Sequence, residues 1–153
     1  MDIHEAIFSR TSIRKFGEKP VENARLEDLV RAGMAAPSAV NMQPWRFMIV
    51  TKRKLLDSLA ERLPYAKMLS GAPAAISVCG DIRRTTGEKE RDYWVQDCSA
   101  ATENILLAAH GGGLGAVWTA VYPVDERIGI VQDLLDLPTF SVPLNVIALG
   151  YPS

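Results

Sequence analysis

Four short apolar runs, separated by stretches of helical spacing, most constrain what this chain can fold into. They are Arg46–Thr51 (RFMIVT), Ala74–Gly80 (AAISVCG), Gly115–Val121 (GAVWTAV) and Leu144–Gly150 (LNVIALG). Each has the length and β-branched content of a buried strand. Asp2 is placed to cap a short helix through Ser9, with Ile3, Ala6 and Ile7 on one face. From Asn23 to Ala36, Leu26, Leu29, Val30, Gly33 and Met34 recur at helical spacing until Pro37 stops them. Lys52–Leu63, Asp92–His110 and Val124–Leu135 continue the alternation, and Gly111–Gly113 ends the second of them, glycine supplying the conformations a helix C-terminus needs. Ile82–Arg91 (IRRTTGEKER) is charged and weakly patterned, as an exposed loop is. No repeat, low-complexity tract or linker interrupts the series, so residues 1–153 read as a single domain.

Bulk properties exclude several function classes. A net charge of −1 gives no electrostatic reason to bind nucleic acid or an anionic membrane. No apolar stretch approaches the ~18 residues that span a bilayer, and MDIHEAIFSR lacks the apolar core of a secretory signal. Cys79 and Cys98 lie in apolar contexts with no CxxC spacing, which favours buried thiols of a cytoplasmic protein over a disulfide or metal pair. With His4 and His110 the only histidines, a His-rich metal site is excluded by count.

Chemistry concentrates in a few motifs. Arg10–Lys15 packs two guanidiniums, two hydroxyls and an ammonium into six residues. Arg suits a phosphate dianion because its planar fork donates parallel hydrogen bonds. In an extended segment Arg10, Ser12 and Arg14 share one side. Taken alone, RTSIRKF reads as a solvated basic loop after a helix C-terminus. Pro37–Trp45 (PSAVNMQPW) combines turn chemistry with a core-anchoring Trp45. Gly111, Gly113 and Ala116 fit a dinucleotide fingerprint in letters only. That fingerprint needs a strand before it and a helix after it, and here the order is reversed.

RTSIRKF after an N-terminal helix, then APSAVNMQPW, GLGAVWTAVYP and a final strand ending ALGYP, resembles the FMN-dependent nitroreductase family over Ile7–Pro152. The resemblance implies an α+β fold with a mainly antiparallel central sheet flanked by helices. It also implies an interlocked homodimer with FMN at the interface. Arg10, Thr11 and Ser12 would contact the phosphate, and Arg14 would lie near the flavin pyrimidine. Pro37, Ser38, Ala39 and Asn41 would border the flavin bound mainly by the other subunit. Thr119 and Ala120 would turn backbone N–H groups toward flavin N5 and O4, with Trp118 as wall. Lys67 matches a looser polar position, for which a surface lysine is the alternative. Tyr93 and Trp94 are interface or core aromatics, or part of a channel over the ring.

The activity so implied is NAD(P)H oxidation coupled, in ping-pong fashion, to reduction of a nitroaromatic, quinone or related acceptor. The flavin carries the hydride chemistry, so no catalytic side chain and no metal are expected. Members of the family usually continue past the ALGYP strand with a basic pair that clamps the phosphate. The sequence ends at Ser153, so Arg10 is expected to carry more of that load. Flavin sequestration without turnover, and dehalogenation or flavin cleavage on the same fold, are the alternatives.

Overall fold

The apolar runs pair as strands of one antiparallel sheet. The computed structural model describes residues 1–153. The strands are β1 (Trp45–Val50), β2 (Ala74–Asp81), β3 (Gly115–Ala120), β4 (Ser141–Pro143) and β5 (Asn145–Gly150), in spatial order β1-β2-β5-β3 with β4 beside β2. The helices are α1 (Ile3–Ser9), α2 (Asn23–Met34), α3 (Arg53–Arg62), α4 (Tyr93–Gly111) and α5 (Asp125–Leu134). The expected α+β fold, with a mainly antiparallel sheet between helices, is what the chain adopts.

Strand alternation explains the layers. Ile76, Val78, Ile147 and Leu149 point to one face, where they meet Leu26 and Leu29 of α2 and Cys98, Ala101 and Ile105 of α4. Ala75, Val146, Ala148 and Val117 point to the other, against Leu56 and Leu59 of α3 and Val131 of α5. With both faces covered, β2 and β5 are buried along their whole length, which is why they read as continuous apolar runs rather than alternating ones. β4 escapes sequence reading because three residues ending in proline carry no usable period.

β2 changes partner midway, pairing with β4 near Cys79–Asp81 and with β5 near Ala74–Ile76. A buried polar network fills the junction. Asn145 Nδ2 donates to Thr102 Oγ1 at 2.9 Å, its Oδ1 accepts from the Val78 N–H at 3.3 Å, and its carbonyl accepts from Ser77 Oγ at 2.8 Å. At the end of β2 the buried Asp81 accepts two side-chain bonds from Arg83, at 3.0 and 2.9 Å, and one from Arg46 at 3.2 Å.

Those bonds, chiefly from the Arg83 side chain, hold the Asp81 carboxyl well below its ordinary value of 3.8. Its stabilising contribution is therefore complete above that ordinary value and is lost only as pH falls from there through the lower folded value. In urea unfolding, Asp81→Asn is expected to lower stability at pH 7. The gap to the parent protein should be constant from pH 7 to about pH 5 and close only in stronger acid. A gap that closes between pH 7 and 5 would contradict this assignment.

The short N-terminal helix departs from expectation. Asp2 caps it, accepting the Glu5 N–H at 2.9 Å. Of its supposed apolar face only Ala6 is buried, however; Ile3, Ile7 and Phe8 are 61%, 50% and 85% exposed. Seven residues packed mainly on α4 give that face nothing in this chain to cover it. Cys79 and Cys98 are free and buried, and burial pushes both thiols upward.

Candidate functional site

The RTSIRKF segment crosses the ends of β3 and β5 instead of running free in solvent. The Ile13 N–H donates to the Ala116 carbonyl at 3.0 Å, the Gly17 N–H to the Tyr151 carbonyl at 2.8 Å, and Phe16 bridges Pro152. Ile13 sits on Gly115 and Phe16 on Gly150, both positions where a β-carbon would collide with them. β3 is an edge strand, bonded on one side to β5. Because Ala116 turns its carbonyl outward to Ile13, alternation turns the peptide groups of Trp118 and Ala120 to that same open edge.

Beside this edge lies an open cleft of about 1330 Å3. Val117–Ala120 form one wall, Arg14–Phe16 another, and Pro64–Tyr65, Lys67–Met68 and Ser70–Gly71 a third, with Arg127 at the start of α5. Four cations line it, Arg14, Lys15, Lys67 and Arg127, and no Asp or Glu side chain does. None of the four makes an ion pair. Apolar Phe16, Met68, Val117 and Trp118, together with Ser153, complete the lining. The chemistry is that of a site for a flat, anionic ligand whose ring heteroatoms take hydrogen bonds from a strand edge.

The structure brings five sequence candidates together on the cleft: Arg14, Lys67, Trp118, Thr119 and Ala120. Alternation turns the Thr119 N–H inward to β5, however, so of the two peptides expected to face the ring only that of Ala120 is open. Arg10, Thr11 and Ser12 lie outside its lining. Arg10 is held against α4, pairing with Glu103 at 3.4 Å. Pro37, Ser38, Ala39 and Asn41 also lie off the cleft. Ala39 borders instead a small hollow shared with Arg84, Tyr93, Trp94 and Asp97. The loop there is tightly determined. Val40, Asn41 and Gln43 occupy the left-handed region, at φ 46°, 55° and 49°. The buried Asp97 takes the Ala39 N–H at 3.0 Å, Ser38 Oγ takes the Gln43 N–H at 3.0 Å, and Arg84 Nε donates to the Met42 carbonyl at 3.2 Å. Strained non-glycine backbone held by that many bonds is a feature of sites rather than of linkers.

Sequence reading missed Lys15, Phe16, Tyr65, Met68 and Arg127 as lining residues. Lys15 and Phe16 sat inside a motif already singled out. Tyr65 and Arg127 carry no local signal, because only the packing of α5 beside the Pro64–Gly71 segment brings them together. Trp94 is a core aromatic, edge-on to Tyr122 at 4.9 Å, whereas Tyr93 is exposed.

A two-faced antiparallel sheet with a cationic cleft, lined by no Asp or Glu side chain, along its edge strand defines the class: an α+β protein suited to hold a phosphorylated aromatic. The comparisons narrow it. The nitroreductase family model matches residues 7–66 and 58–151. A Methanothermobacter thermautotrophicus protein, provisionally named NADH dehydrogenase/NAD(P)H nitroreductase, is 46% identical over 153 residues, all of this chain and 78% of the relative. A crystal structure from Parabacteroides distasonis with the same provisional name is 52% identical, covers 98% of this chain and 86% of its own, and superposes with a TM-score of 0.93. A Desulfovibrio desulfuricans protein, provisionally named a nitroreductase and solved in complex with FMN, is 31% identical, covers 100% of this chain and 87% of its own, and superposes with a TM-score of 0.83. The chain belongs to the nitroreductase family. No helix in it is long and apolar enough to cross a membrane.

Proposed function

We propose that this protein is an NAD(P)H-dependent FMN oxidoreductase acting as a homodimer, with a nitroaromatic, quinone or related compound as acceptor in a ping-pong cycle. The observation that carries the reading is the cleft itself, where four unpaired cations and an open strand edge surround an apolar floor. Those groups fit FMN: Arg14, Lys15 and Lys67 for its phosphate and for the pyrimidine that becomes anionic on reduction, backbone donors for its ring heteroatoms, and Phe16, Met68 and Trp118 for its flat faces. When bound, FMN supplies the hydride chemistry, accepting from the nicotinamide and donating to the acceptor. The chain's own work is orientation and charge. Arg14 and Lys67 offer fixed positive charge on the cleft wall, which favours the anionic state of whatever ring lies against them. The outward peptides of Trp118 and Ala120 offer donors, and Ala120 presents only a methyl there, so a planar ligand can approach the backbone.

A dimer accounts for two further features. Ile3, Ile7 and Phe8 form an exposed apolar face on α1 that a second copy would bury. The strained Ala39–Asn41 turn is rigid enough to border a ring held mainly by the other subunit. Arg10 would then reach the phosphate only by leaving Glu103.

The test is the visible spectrum of purified protein before and after anaerobic NADH or NADPH. A flavin spectrum that bleaches, with FMN released on denaturation, is the expected result. Colourless protein that takes up no added FMN would overturn the reading. Arg14→Ala should weaken FMN binding about tenfold or more by fluorescence titration, since a charge-assisted contact contributes ~1.5–3 kcal/mol.

A further inference from the structure

The cleft is larger and more cationic than one flavin needs. Small-molecule sites usually span roughly 300–1,000 Å3, and this one is about 1330 Å3. An FMN phosphate carries a charge of about −2, against four cations on the walls. Arg14 and Lys15 come from the segment that crosses the sheet ends and Lys67 from the turn after α3. Arg127 stands apart from them on α5.

Tyr65 and Arg127 are both placed at a cost. Tyr65 is 85% exposed and sits at φ 59°, a left-handed backbone that a bulky side chain rarely adopts. Arg127 lies in the first turn of α5, where the helix dipole disfavours a cation. Yet Arg127 is half-buried, with its guanidinium 6.0 Å from the centre of the Tyr65 ring. The ring and the guanidinium thus form a platform at the cleft, with charge and aromatic surface side by side.

We propose that Tyr65 and Arg127 clamp the reduced nicotinamide dinucleotide, Arg127 on its diphosphate and Tyr65 against its flat adenosine portion. The clamp rests on the oxidoreductase reading above and adds to it the residues that hold the hydride donor. It is distinct from Arg14 and Lys67, which face the cofactor. Guanidinium suits a diphosphate through paired, charge-assisted bonds. The strain at Tyr65 then has a use, because it holds the ring out in solvent where a second ligand can stack on it.

The experiment is anaerobic stopped-flow bleaching of FMN-loaded protein over a range of NADH and NADPH concentrations. It is paired with calorimetric titration of the same holoprotein with NAD+ and NADP+, which bind without reacting. Arg127→Ala should weaken dinucleotide affinity about tenfold or more in both measurements. The loss should fall on affinity rather than on the limiting rate, while FMN affinity stays at the parent value. Arg127→Lys should recover part of it. Tyr65→Gly, which suits the left-handed backbone, should weaken dinucleotide binding while leaving the melting temperature equal or higher. Arg62→Ala, removing a surface cation paired with Asp133 away from the cleft, is the control and should change neither. Unchanged dinucleotide affinity in Arg127→Ala, or loss of FMN instead, would overturn the clamp while leaving the oxidoreductase reading intact. A loss confined to NADPH would overturn the diphosphate assignment. Parent holoprotein bleached by neither dinucleotide would overturn the oxidoreductase reading and the clamp with it.

Discussion

Gly115→Ala should cost this protein both stability and cofactor affinity. A β-carbon at position 115 would stand 2.7 Å from Cγ2 and 2.8 Å from Cβ of Ile13. Ile13 is β-branched, so its side chain has little rotamer freedom with which to withdraw. Its backbone is also tied, by the N–H donated to the Ala116 carbonyl at 3.0 Å. The remaining relief is for the Arg10–Phe16 segment to lift from the sheet end, carrying Arg14, Lys15 and Phe16 out of the cleft wall. Overpacking of this kind costs about 1–3 kcal/mol, or roughly 2–10 °C in melting temperature for a domain of this size. FMN affinity, read by fluorescence titration, should fall about tenfold or more, as expected when a charged contact loses its geometry. Gly129→Ala is the matched control, at an exposed position of α5 with nothing within 4 Å of the new methyl. It should be neutral or stabilising by up to about 1 kcal/mol. Parent-like FMN affinity in Gly115→Ala would show that the segment is not seated as described.

Asn145→Leu is expected to give a purely structural loss of comparable size or greater. Asn145 is fully buried at the point where β2 exchanges β4 for β5. Its side chain serves the Val78 N–H and the Thr102 hydroxyl. Leucine keeps the branched shape but is bulkier, so the Val78 N–H is left buried without an acceptor and overpacking adds to the loss. Each orphaned polar group costs ~1–3 kcal/mol in a dry interior. A fall of about 2–12 °C in melting temperature is expected. A shift of less than about 2 °C would mean that water or a relaxed strand replaces the amide. The Asn145 side chain turns to Thr102 of α4, away from the cleft, but its register partner is Ala120 of the cleft wall. FMN affinity measured well below the transition should therefore remain near the parent value only if β5 keeps its register with β3.

Much of the fold was legible from local pattern. The four long strands and five helices fall within a residue or two of where apolar spacing, Asp2, Pro37 and the Gly111–Gly113 cap put them. The long helix indeed ends in a left-handed glycine, Gly113, at φ 82°. Amphipathic reading failed on α1, because spacing reports which residues share a face and not whether this chain supplies anything to cover it. It also passed over β4, too short to show a period.

The site divides along the same line. Local chemistry marked RTSIRKF only as a basic segment able to meet an anion. Grouping it with the small-residue loop and the β3 segment came from the resemblance of the motifs in order, and of the candidate residues Arg14, Lys67 and Trp118–Ala120 stand on the cleft. Where each piece stands was decided by topology. β3 lies at the sheet edge because β5 pairs on its inner side, and that leaves open peptides beside Arg14. Arg10 turns to Glu103 because the chain leaves α1 against α4. Tyr65 and Arg127, 62 residues apart in sequence, meet because α3 and α5 pack on one face of the sheet. Local spacing encodes burial and turn geometry, whereas proximity across the sheet depends on which strands pair, and that is settled only when the two faces of the core close.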